Sequence, residues 1–253
     1  MEVKVRDLEA LLAELAPTDD KEPWDNVGLL CGCADAPVTG VLVALDVTLP
    51  VLEEAVSLSC EAVVTHHPLI FGEIATVTDR DPTGKLLLYA AQHGISCVNA
   101  HTNLDRAVGG VNDVLAAKLG LQNVERIGDY VRCGSVDETD LPLFAARLKE
   151  KLGCDGLRFA DGGKPVHRVA VGGGACGDEI AAVAQAGCDT FVTADLKYHK
   201  FLEAELWGVN LIDAGHFETE NPVASVLYDA IRAKYPSLRC VLSQRHADPT
   251  RFL

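Results

Sequence analysis

The chain lacks any apolar run near the roughly 18 residues needed to cross a membrane. Its first residues also lack the long apolar stretch expected of a secretory signal. Its first residues, Met1-Glu2-Val3-Lys4-Val5-Arg6-Asp7, are charged, and Leu8, Leu11, Leu12 and Leu15 then fall on one helical face. No C-x-x-C pair occurs; the nearest cysteines are Cys31 and Cys33. The nine cysteines are an odd number, and Cys97, Cys188 and Cys240 sit inside apolar runs. They read as reduced thiols packed as small hydrophobes, not as disulfides or a zinc–thiolate site. There is no basic cluster either: 22 Lys and Arg face 37 Asp and Glu, a formal net charge of −15 with a pI near 4.8. Phosphate backbones are bound by clustered cations, so nucleic-acid binding is disfavoured. The acidic balance suits solubility and attracts cations. The expectation is a soluble, cytoplasmic protein with no membrane partner.

The 253 residues, 48% of them hydrophobic, supply a core for one large domain or two smaller ones. Short apolar runs alternate with helical stretches, which predicts an α/β fold with mainly parallel strands. In the first half the pattern predicts helix 5–16 and a run at Val27-Gly28-Leu29-Leu30. Strand 41–45, helix 49–59, strand 62–66, helix 83–93, strand 96–100 and helix 109–119 come after it. In the second half it predicts helix 142–152 and a run at Leu157-Arg158-Phe159. Strand 168–172, helix 177–186, strand 190–194, helix 197–207, strand 210–214 and helix 222–234 come next. The two series match element for element, as an internal duplication would. Two α/β repeats are expected, 1–125 and 126–253. Near their junction Asp140 is placed to cap a helix whose first turn tolerates Pro142.

Ligands in parallel sheets bind outside the carboxyl ends of the strands. Four polar clusters sit at such ends: His66-His67; His101-Thr102-Asn103-Leu104-Asp105; Asp195 with His199; and His216-Phe217-Glu218-Thr219-Glu220. Neighbouring side chains in a strand point to opposite faces. Two consecutive histidines at a turning strand end therefore suit two different ions. Histidines with Asp and Glu form a nitrogen and oxygen donor set that suits Zn²⁺, Mn²⁺, Fe²⁺ or Co²⁺. Two such ions about 3.5–4 Å apart would trap a bridging hydroxide, a nucleophile at neutral pH. A rival signal is Gly172-Gly173-Gly174-Ala175-Cys176-Gly177, which succeeds a strand, opens a helix and fits G-x-G-x-x-G. It admits a nucleotide-binding or anion-binding reading, or a tight turn without any ligand.

Six segments in order along the chain resemble the GTP cyclohydrolase I type 2 homologs, also called the Nif-three-like dinuclear-metal family. They are Trp24-Asp25-Asn26-Val27-Gly28-Leu29, Val64-Thr65-His66-His67-Pro68-Leu69 and Ala100-His101-Thr102-Asn103-Leu104-Asp105 in the first half. Val169-Ala170-Val171-Gly172-Gly173-Gly174, Thr193-Ala194-Asp195-Leu196-Lys197-Tyr198-His199 and Asp213-Ala214-Gly215-His216 lie in the second. The resemblance implies two intertwined, structurally similar α/β repeats with mainly parallel mixed sheets, two divalent ions per chain and a homohexamer. It implies metal ligands at His66, His67, Asp105, His216 and Glu220, with the glutamate touching both ions. Ala194 stands where the family more often has glycine, and the glycine-rich segment departs from the usual pattern; neither change removes a ligand. The chain matches the short form, without the insert that some members carry between repeats. The implied activity is a metal-dependent, cyclohydrolase-like hydrolase acting on a small molecule such as a nucleotide. His101, Asp195 and His199 are candidates to orient ligands or move protons. The rival class is a metal carrier or regulatory protein without catalysis.

Overall fold

The computed structural model describes residues 2–253. In chain order the first elements are β1 (Val3–Lys4), α1 (Val5–Leu15), β2 (Gly28–Cys31), β3 (Pro37–Val38), β4 (Gly40–Ala44), α2 (Leu49–Ser57), β5 (Ala62–Thr65), α3 (Pro82–Gln92), β6 (Ser96–Asn99) and α4 (Thr102–Arg106). Next come α5 (Val111–Leu119), β7 (Gln122–Ile127), β8 (Val131–Thr139), α6 (Leu141–Leu152), β9 (Arg158–Ala160), β10 (Val166–Val171), α7 (Ile180–Gln185), β11 (Thr190–Thr193), α8 (Tyr198–Trp207), β12 (Asn210–Asp213) and α9 (His216–Glu220). The last are α10 (Val223–Lys234) and β13 (Arg239–Leu242). The fold is mixed α/β.

The chain divides into two compact units: Met1–Gly110 with Val223–Ala247, and Val111–Pro222 with Asp248–Leu253. This division differs from the expected one at 125/126. β13 runs parallel to β4 and α10 packs on both strands, so the end of the chain belongs with the first unit. α5 packs against β8, β10, α6 and α9, which draws it into the second.

The first unit is built on a five-stranded sheet of order β13-β4-β5-β6-β2. Its first four strands run parallel and β2 closes one edge antiparallel. Val41, Leu42, Val43, Ala62, Val63 and Val64 are fully buried, as strands covered on both faces must be. Leu42, Ala44, Val63 and Cys97 join α2 and α3 in one core. Helix starts obey capping rules: the Thr48 hydroxyl accepts the Val51 amide, and Asp81 accepts that of Gly84.

The second unit has a six-stranded sheet of order β7-β8-β10-β11-β12-β9, in which β10, β11 and β12 are parallel. The period of two is explicit. Val169, Val171, Val192 and Ile212 pack with α5 and α6 on one face, while Ala170, Phe191 and Leu211 pack with α7 and α8 on the other. The expected cap at Asp140 is present, its carboxylate accepting the Leu143 amide at 2.8 Å. Strands β4, β5 and β6 with antiparallel β2 have the same order and directions as β10, β11 and β12 with antiparallel β9. The match ends at the next position. There the first sheet adds parallel β13 and the second adds antiparallel β8.

Candidate metal centre

In the first unit, four adjacent parallel strands deliver the polar residues at their carboxyl ends. β4 leads to Asp46, β5 to His66 and His67, β6 to His101 and, through the short helix α4, to Asp105. β13 leads to His246. β5 ends at Thr65, earlier than Pro68, whose missing N–H predicts a stop there, and the Thr65 hydroxyl donates to the His67 carbonyl at 2.8 Å just beyond it. The two rings fan out, with centroids 4.9 Å apart and planes tilted 41°. His66, His67 and His101 each offer a ring nitrogen, and these nitrogens lie within 4.8 Å of one another. His66 Nε2 lies 3.5 Å from Asp105 Oδ1. The exposed rings of Trp24 and Phe71 meet His101 edge-on.

Each of these histidines gives Nδ1 to an oxygen. His66 donates to the Ala100 carbonyl at 2.9 Å, His67 to Asp46 Oδ1 at 2.6 Å and His101 to Asp25 Oδ1 at 2.8 Å. A carbonyl or an ionised carboxylate accepts only. The proton therefore sits on Nδ1, and Nε2 keeps the lone pair a cation needs. Burial pushes both supporting carboxyls up, but hydrogen bonds outweigh it. Those from His101 and Thr102 hold Asp25 below its ordinary value, and those from His246 and His67 hold Asp46 well below. Asp25 is 3% exposed and also accepts the Thr102 amide and hydroxyl.

In the second unit, β12 ends at Asp213, and after Ala214 and Gly215 the helix α9 begins with His216. His216 and Glu220, four apart on this helix, share a face, and His216 Nε2 lies 2.9 Å from Glu220 Oε2. Glu220 is buried. His216 Nδ1 lies 2.7 Å from Asp195 Oδ2, so this ring meets a carboxylate on each nitrogen and turns Nε2 toward Glu220. Asp195 has a left-handed backbone (φ 55°), a conformation a non-glycine residue adopts at some cost; here it accompanies the contact with the ring. His199 lies exposed in the first turn of α8 and belongs to none of the metal-holding groups among the described residues. Beside His216 opens a cavity of about 300 Å³ lined by Arg158, Asp195, Asp213, Phe217, Glu218 and Phe252, among others.

The glycine run serves packing. A Cβ on Gly174, whose φ is +61°, would stand 2.1 Å from Glu220 Oε1 and 3.1 Å from His216 Nε2. The Gly173 amide goes to Asn112 Oδ1, that of Gly174 to Thr219 Oγ1 and that of Cys176 to Thr193 Oγ1. Side chains of the protein thus take amides that a phosphate cradle would present. The run leads into a 3₁₀ turn, Gly177–Glu179, and then the six-residue α7.

The donor set fits a divalent transition ion: imidazole nitrogens whose rings are held through Nδ1, beside carboxylates. His/Glu and His/Asp groups that can hold a metal ion are therefore present. Asp46 was not among the residues singled out from sequence, yet it stands just beyond strand 41–45, where the strand-end rule would have flagged it. Asp25 lay in a matched motif, but nothing local signalled that it supports His101.

The family model described as Duf34/NIF3 (NGG1p interacting factor 3) matches residues 3–249. The chain is 32% identical, over an alignment 267 positions long, to the "GTP cyclohydrolase 1 type 2 homolog" of Clostridium acetobutylicum, with all of both chains covered. It superposes on the Staphylococcus aureus hypothetical protein SA1388 with a TM-score of 0.93 at 30% identity, covering both chains completely. A Bacillus cereus protein related to NIF3 aligns with a TM-score of 0.90 at 25% identity, over 100% of this chain and 99% of that one.

Proposed function

The chain belongs to the Duf34/NIF3 family, and from that premise we propose that it is a metal-dependent hydrolase holding two divalent ions per chain. The ligands in this reading are those the resemblance implies, His66, His67, Asp105, His216 and Glu220, with Glu220 the residue that would serve both ions. The observation that carries it is how the three proposed histidine ligands are held: His66, His67 and His216 each commit Nδ1 to an oxygen, which leaves Nε2 as the atom facing the site. A glutamate suits the shared position because its two oxygens can each meet one cation, whereas a histidine offers one coordinating nitrogen. Zn²⁺, Mn²⁺, Fe²⁺ and Co²⁺ all match the donor set.

Bound ions would supply Lewis acidity to water and to a substrate carbonyl or phosphoryl oxygen. The chain's own residues do the rest. Asp25, Asp46 and Asp195 hold the rings in place. His101, backed by the buried Asp25 carboxylate, is oriented to accept a proton at Nε2 from an attacking water and return it to the leaving group. Asp195 acts through His216 as a positioning residue. The cavity beside His216 gives room for a small molecule, and a nucleotide is the class the relatives' name suggests. The resemblance supports a homohexamer, and the acidic, thiol-rich composition supports a cytoplasmic setting.

The test is a chelator-stripped preparation assayed on a panel of nucleotide and ester substrates. Activity should disappear and return with Mn²⁺, Co²⁺ or Zn²⁺. Glu220→Gln should lower occupancy of both metal positions by elemental analysis, and Asp105→Asn should mainly empty one. No metal-dependent turnover on any substrate, together with ready release of ions to an acceptor, would favour the carrier reading instead. Glu220→Gln with two ions per chain and wild-type melting would refute the bridging assignment.

A further inference from the structure

His67 has a second layer of support that comes from the far end of the chain. β13 lies parallel to β4, and the Ser243 amide extends the pairing to the Val43 carbonyl at 2.8 Å. The chain then turns under the buried carboxylate of Glu54 on α2. Glu54 accepts the Ser243 hydroxyl at 2.5 Å, the Gln244 amide at 3.0 Å and the Arg245 amide at 3.2 Å. The Ser243 hydroxyl oxygen accepts the His246 amide at 3.1 Å. This turn sets the His246 side chain, 6% exposed, with Nε2 at 2.9 Å from Asp46 Oδ2. The other oxygen of the same carboxylate takes His67 Nδ1 at 2.6 Å.

Asp46 is 38% exposed. Held by His67 alone, such a carboxylate could rotate toward water and release the ring. With both oxygens engaged it has one orientation. We propose that His246 is a positioning residue: by fixing the second oxygen of Asp46 it fixes the ring of His67 and so raises the affinity of the metal position that His67 serves. This rests on the metal-binding reading above. The segment 243–246 thereby becomes part of the metal centre's support, although it supplies no ligand. Outer partners of metal-ligating histidines change affinity by roughly 10–100-fold. Water can partly replace His246 at the half-exposed Asp46, so the low end of that range, about tenfold, is expected.

The experiment uses the full chain, stripped of metal and titrated with Mn²⁺ by calorimetry, with melting of the metal-free protein recorded alongside. His246→Ala should weaken Mn²⁺ binding about tenfold. His246→Gln, whose amide can still donate to Asp46, should stay within about threefold of wild type. On an Asp46→Ala background, His246→Ala should add no further loss, which a merely structural role would not produce. If His246→Ala fails to fold, His246→Leu, which keeps volume but has no N–H, reads the same quantity. Wild-type affinity in the alanine or leucine variant overturns the proposal, as does an undiminished loss on the Asp46→Ala background. A wild-type chain that takes up no Mn²⁺, Co²⁺ or Zn²⁺ overturns the metal reading itself, an outcome distinct from the other two.

Discussion

Gly174→Ala separates backbone strain from damage at the candidate metal ligands. The added methyl meets two costs. At φ +61° an L side chain crowds its own carbonyl, which costs roughly 1–2 kcal/mol. For a chain of this size each kcal/mol lowers the melting temperature by about 2–4 °C, so about 2–8 °C is expected. The second cost is local. The methyl would stand 2.1 Å from Glu220 Oε1 and 3.0 Å from its Cδ, so the carboxylate must move. It is the flexible end of a side chain and can move at small cost in stability, but it then leaves His216. Divalent-ion affinity should fall at least about tenfold, since even indirect disturbance of a metal ligand costs that much. Gly153→Ala is the control. Its φ is +79° and nothing lies within 4 Å of the added methyl, so it carries the same strain without touching a proposed ligand. Both variants should melt lower without metal, and only Gly174→Ala should bind Mn²⁺ weakly in a calorimetric titration. Equal Mn²⁺ affinities in the two variants would refute the claim that this glycine exists to admit Glu220 and His216.

Light scattering at micromolar concentration should report about six times the 27.0 kDa chain mass; a monomer at neutral pH and low salt would sink the proposed assembly. Burial pushes the Glu54 carboxyl up, but hydrogen bonds from Ser243, Gln244 and Arg245 outweigh it and hold the group below its ordinary value near 4.5. A depressed folded value means that the ionised form stabilises the fold above that pH and the contribution is lost as pH falls further. The stability gap between wild type and Glu54→Gln in denaturant melts should therefore be full at pH 6 and shrink below about pH 4.5; a gap independent of pH would contradict it. Burial pushes the thiols of Cys188 and Cys240 up to about 12 and that of Cys154 up to about 11, whereas Cys33 is exposed. Iodoacetamide at pH 8 should label Cys33 first, the half-buried Cys240 slowly, and the buried Cys154 and Cys188 only on unfolding, as mass mapping of the labelled peptides would show.

Sequence alone determined the features that arise from short-range order. Buried parallel strands are short, largely apolar runs, so β4, β5, β6, β10, β11 and β12 were legible, and with them the like strand order of the two sheets. Asp140 was legible as a cap because capping is local. The polar residues closing each strand named His66, His67, His101, Asp195 and His216 as candidates, since the strand-end rule needs only the strand's end. Glu220 and Asp105 fell within those clusters, but α9 and α4 are too short to show a helical period. β7 is exposed along nearly its whole length and so has no apolar alternation to read. Only tertiary structure decided that β13 joins β4, because pairing between residues about 200 positions apart leaves no mark in either segment. That pairing moved the end of the chain into the first unit and brought His246 to Asp46. The supporting carboxylates Asp25, Asp46 and Asp195 show their roles only once the rings they orient are in place. A hydrogen bond from Nδ1 to an oxygen depends on distance and direction in space, and sequence encodes neither until the sheet has set them.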